Sequence, residues 1–262
     1  MPNGYIATEI ANYCDAPSSL LAKLLVRISH APDYPADRIR GLTVKTETQP
    51  ALVPGQVYHP WVGRHFSVSN PRILFLGHSH YGDDPLNPDP NLTNSLVCGH
   101  LKDRRDKFLT LIARLGTGLP AHEIDQHKFF ERIAFMNLLQ GTLEAPRMKA
   151  SAADLERGAA VLVILLRHLK PTHIVIFGEQ VWDALNNAGH FTIGLKGEPY
   201  FSGSIETIPT FYSNHPSSYG FSPDKWASQF NAFLRDRGVN EKSLEQWIGA
   251  TRFVTPESKP PD

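Results

Sequence analysis

The sequence predicts an α/β protein of three layers (α/β/α), in which helices cover both faces of a central four-stranded parallel sheet. Two observations lead to this fold class. From Pro71 onward, short apolar runs of strand length are separated by helical stretches, a pattern typical of β/α units around a parallel sheet. The first and third of these runs are continuously apolar after their first residue, as expected for strands that are buried on both faces.

The apolar runs predict four strands, at residues 72–76, 133–136, 173–177 and 207–212. Each has the length of a strand rather than of a helix. The fourth run contains Pro209, which has no backbone N–H to donate to a neighbouring strand. We therefore expect this run to lie at a sheet edge, or the proline to mark the start of the strand.

The segments between the strands carry helix signals. One helix begins at Ser151, which stands in a capping-box position, and stops before Pro171. Another begins at Ser222, with Pro223 at its first helical position. Residues 103–115 also show apolar residues at helical spacing. These helices are expected to cover the sheet.

The chain divides by composition into three parts. Residues 1–70 are predicted to form a helical and irregular N-terminal arm packed on the core, with one amphipathic helix at residues 20–28. Residues 71–240 form the α/β domain, because the alternation of strands and helices is confined to them. Residues 241–262 are a C-terminal extension that ends in a proline-containing tail.

Composition limits the kinds of partner and location. The 262 residues contain 26 basic and 26 acidic side chains, so the whole molecule has no net field that would draw it to nucleic acid or membrane. Any such binding must use a local patch. No apolar stretch approaches the roughly 18 residues that span a bilayer, which predicts no membrane segment. The two cysteines fit no CxxC spacing, which argues against structural zinc or an iron–sulfur cluster and suits a cytoplasmic protein.

Polar side chains follow three of the four predicted strands. The first strand runs into "GHSHYGDD", the second into "NLLQG", which starts at Asn137, and the fourth into "SNHPSSYGFS". In an open parallel sheet, the carboxyl ends of the strands border one crevice, where ligands bind. The sequence therefore predicts a binding crevice at this edge of the sheet, without naming a reaction.

The order of four segments, "LGHSHYG", "AFMNLLQG", "HIVIFGEQVW" and "NHPSSYGFS", resembles the uracil-DNA glycosylase superfamily over about residues 71–237. The most specific element is "HPSS" with an aromatic residue after it. The resemblance implies a four-stranded parallel sheet with a glycine-led loop after the first strand, a base-reading asparagine after the second and a His-Pro-Ser loop after the fourth. It also implies DNA or a nucleobase or nucleotide as the partner, and no cofactor.

The resemblance implies a role for several residues. His215 would stabilise the negative charge on the departing base, and Asn137 would bind the Watson–Crick edge of a flipped base. Tyr81 would form a wall of the pocket that excludes larger bases. Gly77, His78 and His80 would line the same pocket. The residues that would approach the phosphate backbone or wedge into the base stack are Ser217, Ser218, Tyr219 and Phe221.

One position departs from the pattern of this family. Family members carry Asp or Asn two residues after the leading glycine to position the attacking water, and here that residue is Ser79. A serine carries no charge that would stabilise a sugar cation. Either Asp83 or Asp84 supplies the carboxylate, with Ser79 and His215 completing the catalytic set, or the protein binds a base without cleaving it.

The sequence thus leaves three functions open. The first is excision of uracil or another damaged base from DNA, and the second is binding of a nucleobase, nucleotide or nucleic-acid end without cleavage. The third is metal-dependent hydrolysis by His78, His80 and Asp83, for which only "HSHYGDD" argues. The histidines and Asn137 also have ordinary structural uses, as hydrogen-bonding groups in loops and turns.

Overall fold

The chain is described from a computed structural model that covers residues 52–81, 86–103, 106–145, 148–189, 191–193 and 200–253. The predicted helix at residues 20–28, the carboxylates Asp83 and Asp84, and residues 254–262 lie outside the described residues. The strands are β1 Trp61–Val62, β2 Ile73–Gly77, β3 His80–Tyr81, β4 Ala134–Asn137, β5 Thr142–Leu143, β6 His173–Phe177, β7 Phe191–Ile193, β8 Ser202–Ile205 and β9 Ile208–Ser213. The α-helices are α1 Leu92–Asp103, α2 Lys107–Thr117, α3 Gln126–Phe130, α4 Ala152–Leu169, α5 Glu179–Asn187, α6 Pro223–Asp236 and α7 Glu241–Gly249.

The central sheet has seven strands in the order β1-β4-β2-β6-β9-β8-β7, so the prediction of a four-stranded sheet is wrong in number. Its middle strands β4, β2, β6 and β9 pair in parallel, and each lies within one residue of a predicted strand. Strand β1 pairs antiparallel with β4, while β8 and β7 extend the other side antiparallel. These flanking strands are short or polar, so they gave no apolar run in the sequence.

Pro209 is the second residue of β9 and sits at the start of that strand rather than at a sheet edge. Strand β9 lies between β6 and β8, and its pairing with β6 begins only at Thr210. Because Pro209 precedes the first residue paired with β6, its missing N–H leaves no gap in that ladder. Of the two alternatives that the sequence offered, the strand start is the one that applies.

The two faces of the sheet are covered by different helices. Ile73 and Phe75 of β2 belong to a buried cluster that includes residues of α1, α2, α3, α6 and α7. Leu74 and Leu76, which alternate with them, pack with residues of α4 and α5. This alternation follows from the period of two in a strand, which sends successive side chains to opposite faces. The sheet therefore lies between two layers of helices.

Capping side chains set where several helices begin. The predicted caps Ser151 and Ser222 are confirmed, since each accepts a hydrogen bond from the backbone N–H three residues later. The helix predicted at residues 103–115 is present, but it spans Lys107–Thr117 and starts four residues later than predicted. The Asp106 side chain accepts from the N–H of Leu109, so a new helix starts after it, separate from the helix that ends at Asp103.

The compact unit that holds the sheet begins at Leu52, ahead of the domain start predicted at residue 71. Strand β1 comes from this earlier segment. Beyond residue 240, α7 buries Leu244 and Trp247 in the same core as β2. Residues on both sides of the predicted domain thus contribute to its sheet and its core. In the described ranges, none of the helices combines the length and apolarity needed to cross a bilayer.

Helix α4 comes very close to the residue after β4 at Gly158, and this contact leads to a prediction about stability. A Cβ atom added to Gly158 would stand 2.3 Å from the backbone oxygen of Leu138. Alanine is favoured over glycine in helices, but the backbone at Leu138 cannot move to relieve the clash with the added Cβ atom. We expect Gly158→Ala to lower the free energy of unfolding by about 1–3 kcal/mol.

Gly99, in α1, provides the matched control, because an added Cβ atom would meet nothing within 4 Å. We expect Gly99→Ala to leave the free energy of unfolding unchanged or to raise it by up to about 1 kcal/mol. Urea denaturation of both variants makes the comparison. A Gly158→Ala protein as stable as the Gly99→Ala protein would contradict this account of the packing.

Candidate functional site

The site is built where β2 and β4 end side by side. Gly77 and Asn137 are Cα partners in the parallel register. The N–H of Leu138 donates to the Gly77 oxygen over 2.9 Å, and the N–H of Leu139 donates to the His78 oxygen over 3.0 Å. These bonds tie the two loops together beyond the sheet, so residues that are distant in sequence share one edge.

Gly77 is required by the Asn137 amide that packs against it. A Cβ atom at Gly77 would lie 2.2 Å from the Asn137 Oδ1 atom, far inside van der Waals contact. The absence of a side chain at this position therefore makes room for the amide. Asn137 is buried, as expected of a polar side chain with a specific partner.

That partner is His80, whose two ring nitrogens are both engaged. The Asn137 Nδ2 atom lies 3.3 Å from the His80 Nδ1 atom. The His80 Nε2 atom lies 2.9 Å from the Thr93 Oγ1 atom of α1. The imidazole is also buried and meets the Tyr58 ring edge to face, with the ring centres 4.8 Å apart. The ring is thereby confined on three sides.

Gln140 holds the Tyr58 segment against this cluster. Its Oε1 atom accepts a hydrogen bond of 2.9 Å from the N–H of Val57, and its Nε2 atom donates to the Leu138 oxygen. The side chain thus bridges the segment before β1 and the loop after β4. Tyr58, in this segment, is buried against His80.

His78 and Ser79 present polar atoms that lack a protein partner. Each residue is only 9% exposed. Within the described part of the chain, the His78 Nε2 and Ser79 Oγ atoms are buried and make no hydrogen bond. Buried polar groups are costly to leave unsatisfied. A polar ligand or water at this edge would satisfy both atoms, although buried atoms elsewhere, such as His173 Nε2 and Trp247 Nε1, also lack a partner among the described residues.

His215 reaches the same edge from the loop after β9. Its ring stacks on Phe108 of α2, with the ring centres 5.1 Å apart and the planes at 20°. The N–H of Ser217 donates to the His215 Nδ1 atom over 3.1 Å. Since Nδ1 accepts this bond, the neutral ring carries its proton on Nε2. The free Nε2–H group is a donor that can serve a ligand.

Electrostatics keep both site histidines neutral. Burial lowers the pKa of His78. Burial, and then the nearby His78 imidazole, lower the pKa of His215. Both effects favour the uncharged ring at neutral pH.

Other predicted site residues have exposed side chains. Tyr81 is 44% exposed and belongs to β3, which pairs in parallel with β5 in a separate two-stranded sheet. Ser217 and Ser218 are exposed, and the Tyr219 side chain is fully exposed. Asp83 lies outside the described residues.

The contacts at this edge also argue against the metal site that "HSHYGDD" suggested. The His80 nitrogens already bind Asn137 and Thr93, which argues against His78 and His80 as a chelating pair. Over the residues that the structure describes, no three His, Cys, Asp or Glu side chains are grouped so that they could hold a metal ion.

Several residues of the site had little or no signal in the sequence. Phe108 carried only a helical pattern, and Thr93 and Tyr58 lie in segments with no strong pattern. Gln140, three residues after Asn137 in "NLLQG", had a positional signal, because polar residues just after a parallel strand face the crevice.

No protein-family model matches this chain, and no curated protein matches it either. The chemistry of the site is therefore argued from its own residues. They are a fixed amide at Asn137, a neutral Nε2–H donor at His215, and polar atoms of His78 and Ser79 that have no partner among the described residues.

Proposed function

We propose that this protein is a DNA glycosylase-like enzyme that binds an extruded uracil-type or damaged base and hydrolyses its N-glycosidic bond. One observation carries the proposal. The Asn137 amide and the neutral His215 ring lie at the carboxyl ends of parallel strands of one sheet, and His78 Nε2 and Ser79 Oγ, which have no partner among the described residues, follow the strand between them in the order of the sheet. The order of these residues along the chain is also the order that the sequence resemblance implies.

The groups match the needs of base binding. An amide offers N–H donors and a carbonyl acceptor, which complement a base edge that has a carbonyl next to an N–H. An extruded base must be read through such an edge and removed from water. The buried Asn137 meets the first need, and the aromatic rings of Tyr58 and Phe108 contribute apolar surface for the second.

The groups also match the needs of bond cleavage. When the bond between the base and the sugar C1′ atom breaks, its electron pair leaves with the base, and the sugar becomes a cation. The His215 Nε2–H group would donate to the base oxygen where negative charge develops. Water would then add to C1′ and release a proton. In this proposal the buried Ser79 hydroxyl holds that water.

A second function, binding of a nucleobase or nucleotide without cleavage, is favoured by one specific feature. The residue at the water-positioning place is Ser79, which has no carboxylate charge to stabilise the sugar cation. The same pocket would then recognise a base and release it unchanged. The two functions share Asn137 and differ in whether the bond breaks.

One experiment separates them. The purified full chain is incubated with single- and double-stranded oligonucleotides containing uracil, hypoxanthine or xanthine, and abasic sites are revealed by alkaline cleavage. Strand breaks at the modified base would support the glycosylase. Intact oligonucleotides, together with a rise in melting temperature when free bases or nucleotides are added, would support binding alone. The absence of both results would overturn both functions.

A further inference from the structure

We propose that Phe108 is a positioning residue for His215, because its ring fixes the plane of the imidazole and so holds the direction of the Nε2–H donor. The inference rests on the proposed function and adds to it a residue that the sequence resemblance does not supply. In bond cleavage Phe108 acts through His215 and needs no contact of its own with the departing base.

A histidine ring turns about two side-chain bonds, and one hydrogen bond does not stop both rotations. The Ser217 N–H group donates to the His215 Nδ1 atom over 3.1 Å, which decides which ring nitrogen faces the loop backbone. The ring can still tilt about this bond. A donor to a developing charge is effective when its direction is set before the reaction. His215 therefore needs a second restraint.

The Phe108 ring provides this restraint as a near-parallel stack. The two ring centres lie 5.1 Å apart, and the ring planes differ by 20°. A tilt of the imidazole would either open a gap against the Phe108 face or drive ring atoms into it. The backbone of His215 is also held, because its oxygen accepts a hydrogen bond of 2.8 Å from the Ser218 N–H group. The chain at Gly178 passes close to the base of this side chain, since a Cβ atom built there would lie 3.4 Å from the His215 Cβ atom.

The Phe108 ring is itself held by the aromatic core. Its edge-to-face partners are Phe135 of β4, with the ring centres 6.1 Å apart, and Phe177 of β6, with the centres 5.9 Å apart. The Phe177 ring stacks in turn on Phe75 of β2, with the centres 5.9 Å apart and the planes at 8°. Edge-to-face and offset-stacked arrangements are those that aromatic pairs prefer. His215 is thus the outermost ring of a series that begins among the fully buried side chains of the sheet.

A residue that serves packing alone and a residue that positions His215 respond differently to substitution. Loss of packing lowers the stability of the protein, whatever residue stands at position 215. Loss of positioning lowers the rate only while His215 is present to be positioned. Substitutions at both positions therefore separate the two roles.

Phe108→Leu keeps an apolar side chain beside His215 and removes the flat ring. We expect the single-turnover rate of uracil excision to fall about tenfold to a hundredfold, because a misplaced catalytic group costs up to about that factor. The Kd for the same oligonucleotide is expected to change little, since the apolar surface is retained. A Phe108→Leu rate equal to that of the wild type would overturn the inference.

The decisive measurement repeats this substitution in the His215→Ala protein. With no imidazole left to orient, Phe108→Leu is expected to cause no further loss of rate, so the two substitutions are strongly non-additive. If Phe108→Leu lowers the rate by the same factor in both backgrounds, the residue acts independently of His215 and the inference is overturned.

Two variants control for the ring and for the core. Phe108→Tyr keeps a flat ring of the same width and is expected to retain most of the wild-type rate. Phe129→Leu truncates a fully buried phenylalanine whose ring meets Phe75, Phe130 and Trp247. It is expected to lower stability in urea denaturation, while the folded protein excises uracil at the wild-type rate. A Phe129→Leu rate as low as that of Phe108→Leu would overturn the inference.

A second readout does not depend on the proposed function. Hydrogen exchange of the Ser217 amide, followed by NMR, reports whether its bond to the His215 Nδ1 atom persists. We expect Phe108→Leu to speed this exchange severalfold, because the unrestrained ring leaves the bond open for part of the time. An unchanged exchange rate would overturn the inference. If the wild type cleaves no oligonucleotide, the proposed glycosylase activity fails, and the exchange result still decides whether Phe108 positions His215.

Discussion

Replacing His215 by alanine is expected to lower the rate of uracil excision by about 10²–10³-fold, the usual loss when one donor to a developing negative charge is removed. The reason is that the neutral His215 ring carries its proton on Nε2, from which it can donate to the base. The Ser217 N–H group occupies Nδ1, and this leaves Nε2–H as the donor. The lowered pKa of His215 keeps that ring neutral at pH 7. The measurement is the single-turnover rate on an oligonucleotide that contains one uracil.

Further variants separate chemistry from packing. His215→Gln retains a side-chain N–H of similar reach and is expected to lose less activity than His215→Ala. His168→Ala removes an exposed histidine from α4 and is expected to have the wild-type rate. The melting temperature of each protein reports whether the stack on Phe108 matters for folding. A stable His215→Ala protein that excises uracil at the wild-type rate would rule out the assigned role.

Replacing Gly77 by alanine is expected to weaken the proposed base binding by about tenfold to a hundredfold, the value of one bidentate pair, and to lower the free energy of unfolding by only about 1–3 kcal/mol, because the buried hydrogen bond between Asn137 and His80 is lost. The added Cβ atom would stand 2.2 Å from the Asn137 Oδ1 atom and displace the amide. Its next neighbours are at 3.4 and 3.6 Å, so no backbone has to move. The φ angle of Gly77 is not positive, so alanine can adopt the same backbone conformation.

The control for this substitution lies close by. Gly141, in the loop after β4, has nothing within 4 Å of an added Cβ atom, so Gly141→Ala is expected to bind bases like the wild type. Titration of a uracil-containing oligonucleotide gives the Kd values, and urea denaturation gives the stabilities. Unchanged affinity in Gly77→Ala would show that the Asn137 amide does not read the base. A large loss of stability would show that Gly77 serves packing instead.

The sequence predicted which loops carry the candidate site residues, because these loops lie at strand ends. Gly77, His78, His80, Asn137 and His215 follow runs of apolar residues that can be recognised by composition, and the carboxyl ends of parallel strands must share an edge. Strands β2 and β6 were predictable because a strand buried on both faces is apolar at nearly every position. The flanking strands β7 and β8 have mixed composition and pair only because neighbouring strands offer them unpaired edges.

By itself, then, the sequence determined the α/β class, the four middle strands and the polar loops at their ends, because these depend on local periodicity and on the common direction of parallel strands. Only the tertiary structure decided which side chains meet. The bond from His80 to Thr93 joins a strand end to a helix face, and the stack of His215 on Phe108 joins two distant segments. Such contacts depend on how layers pack in three dimensions, and no periodic pattern along the chain records them.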